Sequence, residues 1–317
     1  MIEQVLNPNN LLRAMKQVIA NKGSAGVDRI KTIELEEHFR KHKSSILQSI
    51  RQGDYVCSPI LGVEIPKGNG KTRLLGVPTT TDRLLQQAVG QLLSQLWEPE
   101  FSSNSYGFRP KRGARHAVGK ALQYINEGNI HIVDIDLKTF FDEVDHCLLL
   151  NLLYQKIKCP ITLKLIRKWL RAPIMINGKL QKRRKGVPQG SPISPILSNI
   201  LLNELDKKLT DWKKNFVRYA DDFSIYCRLK SEATALMRAI SKYLNTKLQL
   251  IVNKEKSGVR KPTQFIILGF GFASTFQKGK YQLVVSEKAI KRLKMRVKWA
   301  TRKTRPMTFD ERIEKIQ

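Results

Sequence analysis

Asn215 to Cys227 reads N-F-V-R-Y-A-D-D-F-S-I-Y-C. Phe216 to Ala220 and Phe223 to Cys227 are rich in aromatic and β-branched residues, and each alternates as a strand does. Asp221 and Asp222 stand between them. A two-residue connection between such runs predicts a tight β-hairpin with two adjacent carboxylates at its tip. Like charges that close push each other toward protonation unless a cation compensates. A divalent metal does so, and ligands that are all oxygen suit Mg²⁺. A solvated Asp-Asp turn is the plainer alternative, and the rest of the chain has to decide between them.

The 317 residues suffice for two compact units or one large mixed unit. Lys and Arg number 57 against 27 Asp and Glu, a net charge of +30 spread along the whole chain. A folded protein this basic requires a polyanionic partner. Nucleic acid is the first candidate and a membrane surface the rival. No uninterrupted apolar run approaches the length of a spanning helix and the N-terminus has no signal-peptide pattern, so no membrane is expected. Cys57, Cys147, Cys159 and Cys227 are scattered with no C-x-x-C, and read as reduced thiols of a cytoplasmic protein. His38 and His42 have the spacing of a metal pair, but E-E-H-F-R-K-H-K around them reads as a solvated helix face.

Upstream of the hairpin, Leu11 to Ala20 and Ile33 to Arg51 predict helices, and Tyr55 to Val77 predicts two strands joined by P-K-G-N-G-K-T-R. The tip carries Lys67, Lys71 and Arg73, either a phosphate clamp or an ordinary charged turn. Thr81 to Trp97 reads as a helix capped by Thr81 or Asp82. S-Y-G-F-R-P-K-R-G-A-R then sets Arg109, Lys111, Arg112 and Arg115 among aromatics, which suits a nucleic-acid strand or a solvated loop. Ile130 to Leu137, I-H-I-V-D-I-D-L, predicts a strand with Asp134 and Asp136 on one face. A carboxylate in so apolar a strand is costly unless paired or bound to a metal, and periodicity does not choose between the two. Asp145 is the expected cap of a helix reaching about Ile157.

Lys182, Arg183, Arg184 and Lys185 precede G-V-P-Q-G-S-P-I-S-P, a rigid turn whose backbone can approach a ligand closely. Ser194, Ser231 and Ser286 are the expected caps of three later helices, and F-I-I-L-G-F-G-F reads as a strand between the last two. The helix after Ser286 is strongly basic, with a thin apolar stripe of Ile290, Leu293, Val297 and Ala300. Thr308 and Glu311 make a capping box six residues before Gln317, so a longer parent protein is expected.

Asp136 on one strand, Asp221 and Asp222 on a hairpin, and Lys67 and Arg73 on a basic hairpin ask for one explanation. Two-metal phosphoryl transfer holds two cations roughly 3.5–4 Å apart between carboxylates of separate strands. Basic groups would hold the triphosphate. This is a polymerase palm in outline.

The order of motifs carries a resemblance. G-S-A-G-V-D at Gly23 to Asp28 is followed by I-P-K-G-N-G-K-T-R-L-L-G-V-P, Y-G-F-R-P, D-L-K-T-F-F-D at Asp136 to Asp142, V-P-Q-G-S-P-I-S-P, Y-A-D-D, N-K-E-K-S and L-G-F. In this order and spacing the series resembles the reverse transcriptases, most closely those encoded by group II introns, the maturases. The resemblance implies an α+β right-hand polymerase fold, with helical and β-hairpin fingers and an antiparallel palm sheet. Fingers with an N-terminal extension would span 1–95, the palm 96–144 and 186–284, further fingers 145–185, and the truncated start of a helical thumb 285–317. It also implies RNA-directed DNA polymerase activity, with dNTPs, an RNA template and a DNA primer as substrates. Group II intron RNA, bound in splicing and retrohoming, is the implied partner, and target DNA that of the full-length protein. The implied cofactors are two Mg²⁺ ions, with Mn²⁺ as substitute, and a homodimer is within the family's range.

Carried over position by position, Asp136, Asp221 and Asp222 are the metal carboxylates, and motif register favours Asp136 over Asp134. The backbone carbonyl of Leu137 is a further ligand. Lys67 and Arg73 face the β- and γ-phosphates, and Gln189 meets nucleotide or template. Phe141 stands where a ring excludes a ribose 2′-hydroxyl, and Lys256 matches a general acid for the leaving pyrophosphate. Arg109, Lys111, Arg112, Arg115, Lys182, Arg183 and Arg184 are the expected RNA contacts. Two other readings stand beside this one. A non-enzymatic splicing cofactor would gain nothing from the intact acids. Another bacterial reverse transcriptase, from a retron, a diversity-generating element or a CRISPR-associated fusion, would not need the N-terminal block and the maturase-like tail. Phe141 disfavours an RNA-synthesising enzyme.

Overall fold

The computed structural model describes residues 1–66, 72–302 and 307–316. Lys67 and Lys71 lie outside the described residues. In chain order the strands are β1 (Ile60–Pro66), β2 (Thr72–Val77), β3 (His131–Ile135), β4 (Ile174–Ile176), β5 (Lys179–Gln181), β6 (Asn215–Tyr219), β7 (Asp222–Cys227), β8 (Gly258–Arg260), β9 (Phe270–Ser274) and β10 (Tyr281–Val285). They form one sheet in the order β6-β7-β3-β8, a second in the order β2-β1-β4-β5, and a β9–β10 pair.

The first sheet is antiparallel throughout, and its alternation divides the molecule. Val133, Ile135, Phe216, Phe223, Ile225 and Cys227 turn to one face. There they join the main core with helices Thr80–Trp97, His146–Lys156, Pro160–Arg171, Ser194–Asp211 and Lys230–Lys247. Ile132, Val217 and Tyr226 turn to the other face, against helix Ala114–Asn126 and Phe265, Ile267 and Phe272. Phe265 and Ile267 precede the strand that F-I-I-L-G-F-G-F predicts, which begins only at Phe270. In the second sheet β1 and β4 run parallel, Ile60 beside Ile174, so segments far apart in sequence share one sheet.

Three helix starts differ from the expected ones, and at two of them a polar side chain has a competing partner. Helix Thr80–Trp97 is capped by Thr79, whose Oγ1 accepts from the Asp82 amide at 3.2 Å, because Asp82 itself turns inward. Ser194 is the first residue of its helix, and its hydroxyl donates to the Pro188 carbonyl at 2.7 Å. Ser231 lies inside helix Lys230–Lys247, whose cap position is Leu229. Asp145 and Ser286 cap as expected, accepting from Leu148 and Ala289 amides. In helix Glu287–Ala300 only Ala300 of the apolar stripe is buried, while Ile290, Leu293 and Val297 are exposed. Among the described residues no helix is long and apolar enough to cross a membrane.

Candidate active site

Tyr219 pairs with Asp222, so the hairpin tip is Ala220–Asp221 and Asp222 is the first residue of β7. Ala220 takes the left-handed conformation at φ +57° that so tight a turn demands. β3 ends with Ile135 opposite Phe223. The next pair in that register is Asp136 with Asp222. Two carboxylates from separate strands therefore confront each other, on the sheet face away from the main core, beside the turn that carries Asp221.

Asp134 points to the same face, but Arg260 occupies it: the guanidinium Nε donates to Oδ2 at 2.7 Å. Asp136 is gripped by the N-K-E-K-S turn. Asn253 Nδ2 donates to Asp136 Oδ2 at 2.9 Å, and the Asn253 amide donates to the Asp136 carbonyl at 2.8 Å. The Asp136 amide donates to Ser257 Oγ at 3.0 Å, and Lys256 Nζ lies 3.4 Å from Asp136 Oδ2. Leu137 is buried and bridges to Val252 across the same turn. Asp134, Asp136, Asp222 and Lys256 line a cleft of about 210 Å³, closed on one side by Phe265 to Leu268.

The electrostatics follow from this crowding. Asp222 is open to solvent at the cleft mouth, yet the surrounding protein and then the charges of Asp221, Asp136 and Asp134 push its carboxyl up to about 6, with Lys256 opposing. Burial pushes Asp221 up and Asp136 adds to it, against its own backbone hydrogen bond and the charges of Arg73 and Arg218. Burial likewise raises Asp134, opposed by Arg260. Among the described residues no three His, Cys, Asp or Glu side chains form a ready-made metal cluster. The donor set nonetheless fits divalent cations: all-oxygen, anionic, and mutually repelling until a cation joins it.

The turn Gly186–Gly190 is fastened between β2 and the helical turn Phe140–Glu143. The Gly76 amide of β2 donates to the Gln189 carbonyl, and the Val187 amide donates to the Phe141 carbonyl, each at 2.7 Å. Gly186, at φ +84°, lies where a Cβ would stand 2.7 Å from the Phe141 carbonyl oxygen, so a side chain has no room. Phe140 and Phe141 belong to the helical turn Phe140–Glu143 and meet edge to face at 5.2 Å. Phe140 is buried in the main core, and Phe141 is half-buried against it. Arg73 is exposed on β2.

The basic runs divide in a way their sequence does not announce. Arg109, expected to contact RNA, is buried: its Nη2 pairs with Glu98 Oε1 at 2.8 Å, and its Nη1 donates to the Ser105 carbonyl at 2.8 Å. Its partner lies eleven residues upstream, so its charge is spent inside the fold. Arg112 Nη1 donates to the Ser103 carbonyl and its guanidinium lies over the Tyr106 ring, whereas Lys111 and Arg115 are exposed. In the second run Lys182 and Arg184 are exposed. Arg183 is half-buried with its Nη1 enclosed, and burial pulls its guanidinium down against the pull of Asp142, which makes it a poor surface contact.

Arg218, in the middle of the signature stretch, carries a role that strand periodicity did not flag. Its side chain is fully buried and pairs with Asp206 at 2.6 Å. An arginine on the core-facing side of an apolar strand is itself the signal, since an unpaired cation there is prohibitively costly. Asn253 and Ser257 were likewise visible only as members of a motif block.

An antiparallel sheet with opposed carboxylates at the ends of its two central strands, together with a second four-stranded sheet and flanking helices, fits a right-hand polymerase fold. Comparison with known proteins agrees. The sequence profile described as reverse transcriptase (RNA-dependent DNA polymerase) matches residues 65–272. The chain belongs to that family and carries an RNA-directed DNA polymerase domain. Protein YkfC of Escherichia coli (strain K12) is 29% identical over 310 residues, 85% of this chain and 81% of that protein. The group II intron-encoded protein LtrA of Lactococcus lactis subsp. cremoris is 34% identical over 257 residues, 80% of this chain but only 41% of LtrA. Telomerase from Candida albicans, solved with a fragment of telomeric RNA, shares the fold at a TM-score of 0.54 and 17% identity, over 86% of this chain and 56% of that one. Reverse transcriptase domains use divalent metal ions, which accords with the acidic cleft.

Proposed function

We propose that this domain is the polymerase of a group II intron maturase, working in the cytoplasm. It extends a DNA primer on an RNA template from dNTPs with two Mg²⁺ ions, and it binds intron RNA in splicing and retrohoming. The observation that carries the reading is the register that opposes Asp136 and Asp222 beside Asp221. The primer 3′-oxygen attacks the α-phosphorus and its proton passes to solvent water. The bond from the α-phosphorus to the bridging oxygen breaks, and pyrophosphate leaves. The metals supply nucleophile activation and charge neutralisation when bound. Asp136, Asp221 and Asp222 would hold them, with the Leu137 carbonyl as a further oxygen. Lys256, already beside Asp136, gives its proton to the leaving pyrophosphate. Arg73 and Lys67 hold the triphosphate, and Gln189 the nucleotide or template. The sheet shared by β1, β2, β4 and β5 supports grouping 1–95 with 145–185 as fingers, and the other large sheet supports 96–144 with 186–284 as palm. Primer extension on an RNA template, with Mg²⁺, Mn²⁺ or a chelator, tests the reading. RNA binding without any extension at saturating metal, in the full-length protein, would instead favour the splicing-cofactor role.

Phe141 is proposed to select the sugar, its half-buried ring lying beneath the incoming nucleotide. A ribose 2′-oxygen forced against it costs about 1–3 kcal/mol, roughly tenfold to a hundredfold in rate ratio. Phe141→Ala should raise ribonucleotide over deoxyribonucleotide incorporation by that factor in single-nucleotide extension. Phe140→Ala should lower stability and leave the preference alone. An active Phe141→Ala with parental preference removes the gate.

RNA affinity should fall steeply with salt, each phosphate contact adding about 0.7–0.9 to the log–log slope. Neutralising Lys111, Arg115, Lys182 or Arg184 should lower that slope. Arg109→Gln should leave it unchanged and reduce thermal stability. A flat salt response would exclude these exposed runs as the RNA surface.

A further inference from the structure

We propose that Arg218 is a positioning residue for nucleotidyl transfer: its buried pairing with Asp206 and Asn199 fixes the Ala220–Asp221 turn, and with it the Asp221 carboxylate. The inference rests on the reading of Asp221 as a metal-holding group.

The guanidinium makes five contacts from one rigid plane. Nε donates to Asp206 Oδ1 at 2.8 Å and Oδ2 at 3.0 Å, and Nη2 donates to Asp206 Oδ2 at 2.6 Å. Nη1 donates to Asn199 Oδ1 at 2.9 Å and to the Ala220 carbonyl at 3.0 Å. Asp206 and Asn199 both belong to helix Ser194–Asp211, which is buried along most of its length. The planar fork therefore ties the peptide immediately before Asp221 to a deeply packed helix of the core. On the other side, Asn199 Nδ2 donates to the Gly107 carbonyl at 2.9 Å. Gly107 lies so close to the turn that a Cβ there would stand 2.3 Å from the Ala220 amide nitrogen. The Arg218 amide donates to the Asn104 carbonyl and the Tyr106 amide to the Arg218 carbonyl, both at 2.9 Å. The turn is held from the helix by a side chain and from the 104–107 segment by backbone.

Stability alone does not require this pair. Apolar residues of similar volume commonly replace a buried ion pair at no cost in stability or with a gain. They would leave the Ala220 carbonyl without its donor and the turn free to shift. That difference separates a positioning role from a merely structural one.

The test compares Arg218→Met/Asp206→Leu, Gly107→Ala and Asp221→Asn in the full chain. The readouts are thermal unfolding, template–primer affinity, and primer-extension kcat and KM across a Mg²⁺ titration. The double variant should stay cooperatively folded, its unfolding midpoint lowered only by the unpaired Ala220 and Asn199 oxygens, and should keep parental affinity. Its kcat should fall about tenfold to a hundredfold, the cost of misplacing a reacting group by up to 1 Å, and more Mg²⁺ should be needed for half-maximal rate. A folded double variant with parental kcat and Mg²⁺ dependence overturns the inference. Should the double variant not fold, Gly107→Ala decides: it moves the turn without touching the ion pair, and a parental kcat there overturns the inference equally. Asp221→Asn separates the two claims. Parental extension in Asp221→Asn removes the metal reading, whereas an inactive Asp221→Asn beside a parental double variant removes only the role of Arg218.

Discussion

Asp221→Asn and Asp136→Asn should each lower primer extension by about 10²- to 10³-fold. A divalent cation contributes several kcal/mol of transition-state stabilisation, and each 1.4 kcal/mol or so is a factor of ten. Both substitutions keep shape and a hydrogen-bonding oxygen, so folding should survive. RNA affinity should not fall, because removing a negative charge from a cleft that faces a polyanion cannot weaken attraction. Asp222, solvent-exposed at the cleft mouth, should tolerate the same change somewhat better. Near-parental extension by either principal variant would end the metal assignment, however well the fold is preserved.

Asp82→Ala should cost about 3 kcal/mol of stability or more. Asp82 is buried and accepts from four donors: Tyr55 Oη at 3.0 Å, the Ser58 amide at 3.1 Å, Thr79 Oγ1 at 2.9 Å and Trp169 Nε1 at 3.0 Å. These donors come from the strand-side arm, the start of helix Thr80–Trp97 and helix Pro160–Arg171. One carboxylate thus joins three segments. Burial pushes its carboxyl up while the four donors hold it down. Each buried donor left unpaired costs about 1–3 kcal/mol, discounted here because water can enter the space. The urea midpoint measures the loss, and a shift equivalent to less than about 1 kcal/mol would show that the four groups find other partners.

Local pattern made much of this molecule readable. The alternation of Phe216–Ala220 and Phe223–Cys227 foretells the hairpin, and alternation in I-H-I-V-D-I-D-L foretells the shared face of Asp134 and Asp136. What escaped depends on partners distant in sequence. Alternation cannot say that the tip is Ala220–Asp221, because a turn residue at positive φ leaves no mark on hydrophobicity. Nor can it say that Asp134 meets Arg260, whereas Asp136 meets Asn253 and Lys256. Basic residues among aromatics look alike whether they face solvent or, like Arg109, meet Glu98 inside the fold. Cap residues are ambiguous for a related reason: Thr79, Thr81 and Asp82 are all competent caps, and only the inward demand on Asp82 selects Thr79.

The antiparallel register of β3 with β7 also limits how this chain can change length. Side chains alternate with a period of two, so deleting or inserting one residue within His131–Ile135 exchanges the two faces of everything that follows before the strand ends. Asp136 would then turn into the helical core, and Ile135 would take its place at the cleft. A change of two residues restores the faces and shifts only the reach. The central strand therefore obeys a parity rule: length variation there can be accommodated in even steps, and an odd step abolishes the carboxylate pair while leaving composition almost untouched.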